Sequence, residues 1–476
     1  MAPMVGEQPE LAEYVPHPRR GGGRGHAWLL VVVGLLVVAL LAGGFALRAD
    51  RDDGTPDARP SPAATASGTP KPTVDASVLR IQGLDALLAD RGRAMLARDR
   101  EAWLATVDPA SDDFAARQAA VFDNLAQVPL EVWRYEFAGE GPGLSAERQA
   151  ALGPEAWVAR IVLVYRLADA DQADVRREAY LTLARSGEDW LVVGDTDGTS
   201  STELWDLGPV QVIRGSRSLV LGTADVGTLE QYSAEVDRAA EGVDEVWGDE
   251  WPRTVVVQVP RDQSEMARLL LRKDEVGLEQ IAAVTTGELG LDQPGTSADR
   301  VIVNPAGFAQ LGPLGREVVL THEITHVATR ATTTSDVPIW LSEGFADYVA
   351  YADTGLSRDV VAADVLDLVR EGNGPTALPT GSDFDPAVTD IAAAYSGSWL
   401  AAELIARTYS EEALVAFYRA VAGGFTAGST PSSNAVDPSA PSASPSVVQV
   451  AFTQVLGTDQ AAFEKSWVQY LGDLAD

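Results

Sequence analysis

The chain has 476 residues, a formal net charge of −33, four histidines and no cysteine. That length calls for more than one domain, and 46% hydrophobic with 22% charged residues excludes wholesale disorder. Lack of cysteine excludes disulfide scaffolds, thiolate catalysis and iron–sulfur clusters. A pI near 4.4 excludes nucleic acid as a partner, because phosphate neutralisation needs clustered Lys and Arg.

Residues 1–26 form a polar tail, and residues 27–47 (AWLLVVVGLLVVALLAGGFAL) carry no charge. An uncharged run of this length spans a hydrocarbon core of about 30 Å, so an uncleaved N-terminal transmembrane helix is expected here. Arg19, Arg20 and Arg24 precede it and predict a cytoplasmic N-terminus. The tail's arginines cancel Glu7, Glu10 and Glu13, so the whole negative charge lies beyond the span. The expectation is a single-pass cell-membrane protein whose working part is extracytoplasmic, with His17 and His26 on the opposite side from it. Residues 48–76 are rich in Pro, Ala, Ser, Thr and Asp and read as a solvated linker.

From Val78 to Val107, apolar residues recur at three- and four-residue steps and predict helix. Residues 156–167, 177–185 and 189–195 read as strands, the last two joined by the turn Ser186-Gly187-Glu188. A helix followed by antiparallel strands predicts a small α+β domain over 78–197, whose element order resembles the cystatin-like cone fold. Residues 198–208 read as a boundary. Beyond it come strands at 209–215 and 218–223, a helix over 227–246, strands at 254–260 and 300–305, and then mainly helical patterns. A low-complexity stretch at 427–446 interrupts them, and a closing helical pair follows.

The chemistry concentrates in REVVLTHEITHVATRA (316–331). Residues four apart share a helix face, so His322 and His326 can reach one metal ion. Glu323 sits one step round, where its carboxylate can meet a water on that ion. Catalytic zinc commonly takes three protein ligands. No histidine follows His326, so the third is expected to be a carboxylate. PIWLSEGFADYVAY (338–351) supplies one: Leu341, Phe345 and Tyr348 share an apolar face, while Glu343 and Asp347 share another. Glu343 is the expected ligand, and Asp347, one turn later, the expected acceptor for the His322 N–H. Gly344 costs about 1 kcal/mol in a helix interior, which predicts close approach of this helix to the one bearing the histidines.

HEITH followed by SEGFAD resembles the gluzincin branch of the HExxH zinc metallopeptidases, nearest to the peptidase-MA-like and aminopeptidase N-type group. The resemblance covers about 300–420, with weaker similarity over the rest of 209–476. It implies a thermolysin-like domain, a mixed sheet with a mostly helical C-terminal part. It further implies one Zn2+ on His322, His326 and Glu343, Glu323 as general base, and a tyrosine that stabilises the transition state. IAAAYSGSWLAAELIARTYSEEALVAFY (391–418) resembles the tyrosine-bearing helix and places Tyr395 in that role. RVIVNP (300–305) resembles the edge strand that pairs with a peptide substrate. Aminopeptidases of the group carry a G-x-M-E-N segment that holds the free amino terminus. The corresponding AAVTTGELGLDQPG (282–295) has none, and Glu288 is a poor stand-in, so an endopeptidase acting on peptides or proteins is expected. The alternatives are a non-catalytic envelope binding protein with a structural metal site, and a metallohydrolase of a non-peptide substrate.

Overall fold

The structure, a computed structural model, describes residues 76–423 and 446–476, apart from 276, 279–280, 287–297, 331, 334–336, 386–387 and 389. The tail, the expected membrane span at 27–47, the linker, Glu288 and nearly all of the 427–446 insertion lie outside the described residues. Among the described residues, no helix is long and apolar enough to cross a membrane.

The architecture is mixed α+β. Helix α1 (Ala76–Leu96) ends where Arg98 takes a left-handed φ of +56°, so the helical pattern over 78–107 is broken rather than continuous. Asp99 then caps a second short helix over 100–105 through the Ala102 N–H. Helix α2 (Asp112–Asn124) leads into four antiparallel strands in sequence order: β1 (Leu130–Glu140), β2 (Trp157–Leu167), β3 (Val175–Ser186) and β4 (Asp189–Gly194). Strand β1 was not anticipated. The β3–β4 turn stands where Ser186-Gly187-Glu188 marked it, with Gly187 at φ +64°. Leu84, Leu87 and Leu88 of α1 pack against Trp157, Ile161, Leu183 and Trp190 of this sheet.

The second sheet has the order β5 (Gln211–Arg214), β6 (Ser218–Gly222), β7 (Val255–Val259), β9 (Arg300–Val303), β8 (Ala283–Thr286). Strands β6, β7 and β9 run parallel, with antiparallel β5 and β8 at the two edges. A parallel pair needs a crossover, and helix α3 (Val226–Trp247) supplies it between β6 and β7, capped by Asp225 at its start and stopped at Gly248. The strand expected at the edge, 300–305, is therefore internal. The edge is β8, a four-residue strand that the sequence reading passed over.

Strands β6, β7 and β9 are buried at every position, and strand alternation explains how. Val220, Val255 and Val257 face the helices, while Leu219, Leu221 and Val256 face the other way. The second group shares one core with Trp133, Tyr165 and Leu167 of the first sheet, and with Leu204 and Trp205 of the 198–208 segment. The N-terminal α+β unit thus covers the back of the second sheet. Within that contact Arg300 of β9 forms a two-pronged ion pair with Asp171 (2.6 and 2.8 Å), both side chains 1% exposed. Asp171 also accepts the Leu167 N–H at 2.8 Å.

Helices complete the chain: α4 (Pro313–Arg330), α5 (Ile339–Tyr351), α6 (Ala363–Arg370), α7 (Ile391–Thr408), α8 (Glu411–Gly423), α9 (Val447–Gln454) and α10 (Gln460–Ala475).

Breaking a buried ion pair strands a charge and costs about 3–5 kcal/mol, whereas apolar replacement of both partners is far milder. Asp171→Ala is expected to destabilise by that amount in urea denaturation. Asp171→Leu combined with Arg300→Met should recover most of the loss.

Candidate metal centre

Helix α4 is anchored by Val319, Leu320, Ile324 and Val327, all buried. That anchoring fixes its rotation and sets His322 and His326 one turn apart toward α5. On α5, Leu341 and Phe345 are fully buried, Phe345 against the Trp247 ring, and they aim Glu343 and Asp347 at α4. These acids are core groups, 3% and 5% exposed.

Three donor atoms converge. His322 Nε2 and His326 Nε2 are 3.1 Å apart, and Glu343 Oε2 lies 3.4 Å from the first and 3.5 Å from the second. A tetrahedral ion with bonds of 2.0–2.1 Å separates its ligands by about 3.3–3.4 Å, so the triangle has the size of a zinc site. His322 Nδ1 meets Asp347 Oδ1 at 2.8 Å. With that nitrogen donating, Nε2 presents a lone pair to the centre. Glu343 Oε2 is buried without a hydrogen-bond partner, a costly condition unless a cation completes it. These residues form a single metal site, and two imidazoles with one carboxylate are the donor set of a catalytic zinc centre.

The electrostatics follow from the crowding. Burial works to raise the Glu343 carboxyl, but His326 and His322 outweigh it and hold the group at about 2. Burial works to lower the His322 imidazole, yet Asp347 and Glu343 raise it well above its ordinary value. Burial raises the Tyr395 phenol far above the usual range, helped by Glu343, Asp347 and Glu323.

Glu323 is 1% exposed, and its Oε2 accepts a 2.6 Å hydrogen bond from the Thr285 hydroxyl on β8. Tyr395, on α7, is buried with its ring edge-on to Phe384 at 5.2 Å, within electrostatic reach of all three acids. Tyr348 turns away to Glu411, at 2.8 Å, and Tyr351 packs on Trp399. The structure therefore brings His322, Glu323, His326, Glu343, Asp347 and Tyr395 into one region. Thr285 was missed; its only sequence signal is the short run AVTT before Gly287.

Gly344 is explained differently from the expectation. A Cβ there would strike the backbone of Ser398 on α7, with the Ser398 carbonyl carbon at 2.7 Å. The close approach is to α7, not to the helix bearing the histidines.

No protein-family model and no curated protein matches the chain. Among solved structures it is similar to an M1 zinc metallopeptidase from Deinococcus radiodurans, at 14% identity over 66% of this chain and 60% of that one, with a TM-score of 0.30. A variant of an M1 zinc metallopeptidase from the same organism, bound to a Tyr-Ser-Ala substrate, gives 14% identity, 66% and 61% coverage and 0.30. A two-domain M1 zinc metallopeptidase bound to L-arginine gives 15%, 60%, 58% and 0.30. The chain spans about three-fifths of the length of the structures it matches. At these values the likeness decides neither fold nor chemistry, and both rest on the geometry above.

Two outcomes are expected. Gly344→Ala gains about 1 kcal/mol of helix propensity but forces a backbone clash worth roughly 1–3 kcal/mol, so its thermal midpoint should fall. Gly242→Ala, where a Cβ meets nothing within 4 Å, should raise it. The second outcome concerns pH. In metal-free protein the folded-state value of His322 lies above the ordinary 6.5. Its charge then contributes stability that is fully present below 6.5 and lost as pH rises through the raised value. Zinc needs the neutral imidazole, so chelator competition should show affinity rising over the window in which the metal-free protein weakens. His322→Gln should flatten the metal-free trend.

Proposed function

We propose that the chain is a zinc-dependent hydrolase of peptide bonds, an endopeptidase of the gluzincin type. The observation that carries this reading is the buried His322–His326–Glu343 triangle, with the buried Glu323 next to His322 on the same helix. A purely structural metal site has no use for an adjacent buried base.

His322, His326 and Glu343 would hold the ion, which when bound lowers the pKa of a water toward about 7 and polarises a carbonyl. Asp347 keeps His322 in the tautomer that ligates. Glu323 takes a proton from the attacking water and passes it to the nitrogen of the leaving amine as the C–N bond breaks. Tyr395, held protonated, donates a hydrogen bond to the oxyanion that forms on the scissile carbonyl. Strand β8 pairs on one side with β9 and has no partner strand on its other side among the described residues. That edge suits the addition of an extended peptide. The lack of a G-x-M-E-N segment at 282–295 favours cleavage within chains. The expected membrane span at 27–47, with the site on the extracytoplasmic side, belongs to the same proposal.

Purified protein should contain one zinc per chain by mass spectrometry of the metal and should cleave internal bonds of a mixed peptide library. A chelator should stop cleavage and added zinc restore it. Glu323→Gln should keep the zinc and lose about 10²–10⁴-fold in kcat. An active Gln variant, or cleavage indifferent to chelation, would sink the reading.

A further inference from the structure

The oxygen that Glu323 does not need for proton transfer is occupied. Thr285 Oγ1 lies 2.6 Å from Glu323 Oε2 and 3.1 Å from the Glu323 carbonyl oxygen. The shorter contact is the stronger, because a hydroxyl donating to a carboxylate makes a charge-assisted bond. Among the described residues Thr285 is the one hydrogen-bond donor to that carboxylate. The donor is well placed to hold its partner. It sits on β8, opposite Val301 of β9, and Ala283 and Val284 in the same strand are buried. A glutamate side chain has three rotatable bonds, and anchoring one oxygen leaves the other with a defined direction.

We propose that Thr285 is a positioning residue for Glu323: its hydroxyl fixes Oε2, so that Oε1 is the oxygen that takes the proton from the attacking water. The proposal rests on the hydrolase reading above. Because β8 is also the sheet edge among the described residues, the strand that would receive substrate carries the group that orients the base. A peptide added to β8 would tighten that strand and with it the direction of the Glu323 carboxylate.

Thr285→Val keeps the β-branched shape and strand propensity and removes only the hydroxyl. Thr285→Ser keeps the hydroxyl. In the full zinc-loaded chain, Thr285→Val is expected to lower kcat about 10- to 100-fold, the scale of a small misplacement of a reacting group. KM and zinc content should stay near wild type, and Thr285→Ser should restore most of kcat. A Val variant with wild-type kcat overturns the proposal. So does a Ser variant as impaired as Val, since the methyl group and not the hydroxyl would then matter. A second measurement needs no activity. In metal-free protein, Thr285→Val should lower the thermal midpoint when Glu323 is present and lower it less in a Glu323→Ala background, where only the backbone carbonyl of residue 323 remains as acceptor. Equal shifts in both backgrounds overturn the proposal. If wild type itself cleaves nothing, the hydrolase reading fails by that result, and the coupling between the two side chains is still decided by the thermal cycle.

Discussion

Three atoms carrying lone pairs lie within 3.5 Å of one another inside the protein: two imidazole nitrogens and a carboxylate oxygen with no hydrogen-bond partner. Such a cluster is repulsive on its own and becomes favourable only around a cation. The surrounding structure can be understood as what holds it together. Apolar faces on α4 and α5 fix the rotation of both helices. Asp347 directs the His322 lone pair inward. Gly344 lets α5 come down onto the backbone of Ser398, so that α7 supports the helix carrying the third ligand and brings Tyr395 with it.

The same constraint reaches the sheet. A site built across two helices is only as rigid as the layer beneath, and that layer is buried on both faces. The helices cover one face, and the N-terminal α+β unit covers the other through the core shared by Trp133, Tyr165, Leu219 and Val256. The Asp171–Arg300 pair pins that cover to β9, and β9 carries β8 through its antiparallel ladder. The N-terminal unit is thereby tied, through β9, to the strand that carries Thr285. Arg330, at the end of α4, adds a second tie through Asp299 at 3.1 Å.

The pattern of what could be read in the sequence has a physical cause. His322 with His326, and Glu343 with Asp347, are separated by single helical turns, and local periodicity alone sets which residues share a face. The turn at Gly187 and the parallel core strands were equally local. Contacts distant in sequence were not legible. The neighbour that requires Gly344 lies on another helix, and Asp171 and Arg300 are 129 positions apart. Strand β8 is too short to show a period, so its edge position went to β9, whose apolar run is the stronger signal. A continuous apolar run marks a strand buried on both faces, so Val301-Ile302-Val303 argued against an edge. With β8 went Thr285, a threonine with no local feature to distinguish it.

The balance of charge explains why a carboxylate suits this centre as third ligand. A divalent cation is balanced by the Glu343 and Glu323 carboxylates, and the Asp347 carboxylate, which accepts the His322 N–H, lies one step further out. Without the ion the acids are in excess, and the site answers by favouring protonation of His322, which is why that imidazole is raised despite its burial. Proton and metal are thus alternative occupants of one electrostatic trap. The raised histidine follows from the acids that face it, and the low carboxyl of Glu343 follows from the two imidazoles that face it in turn.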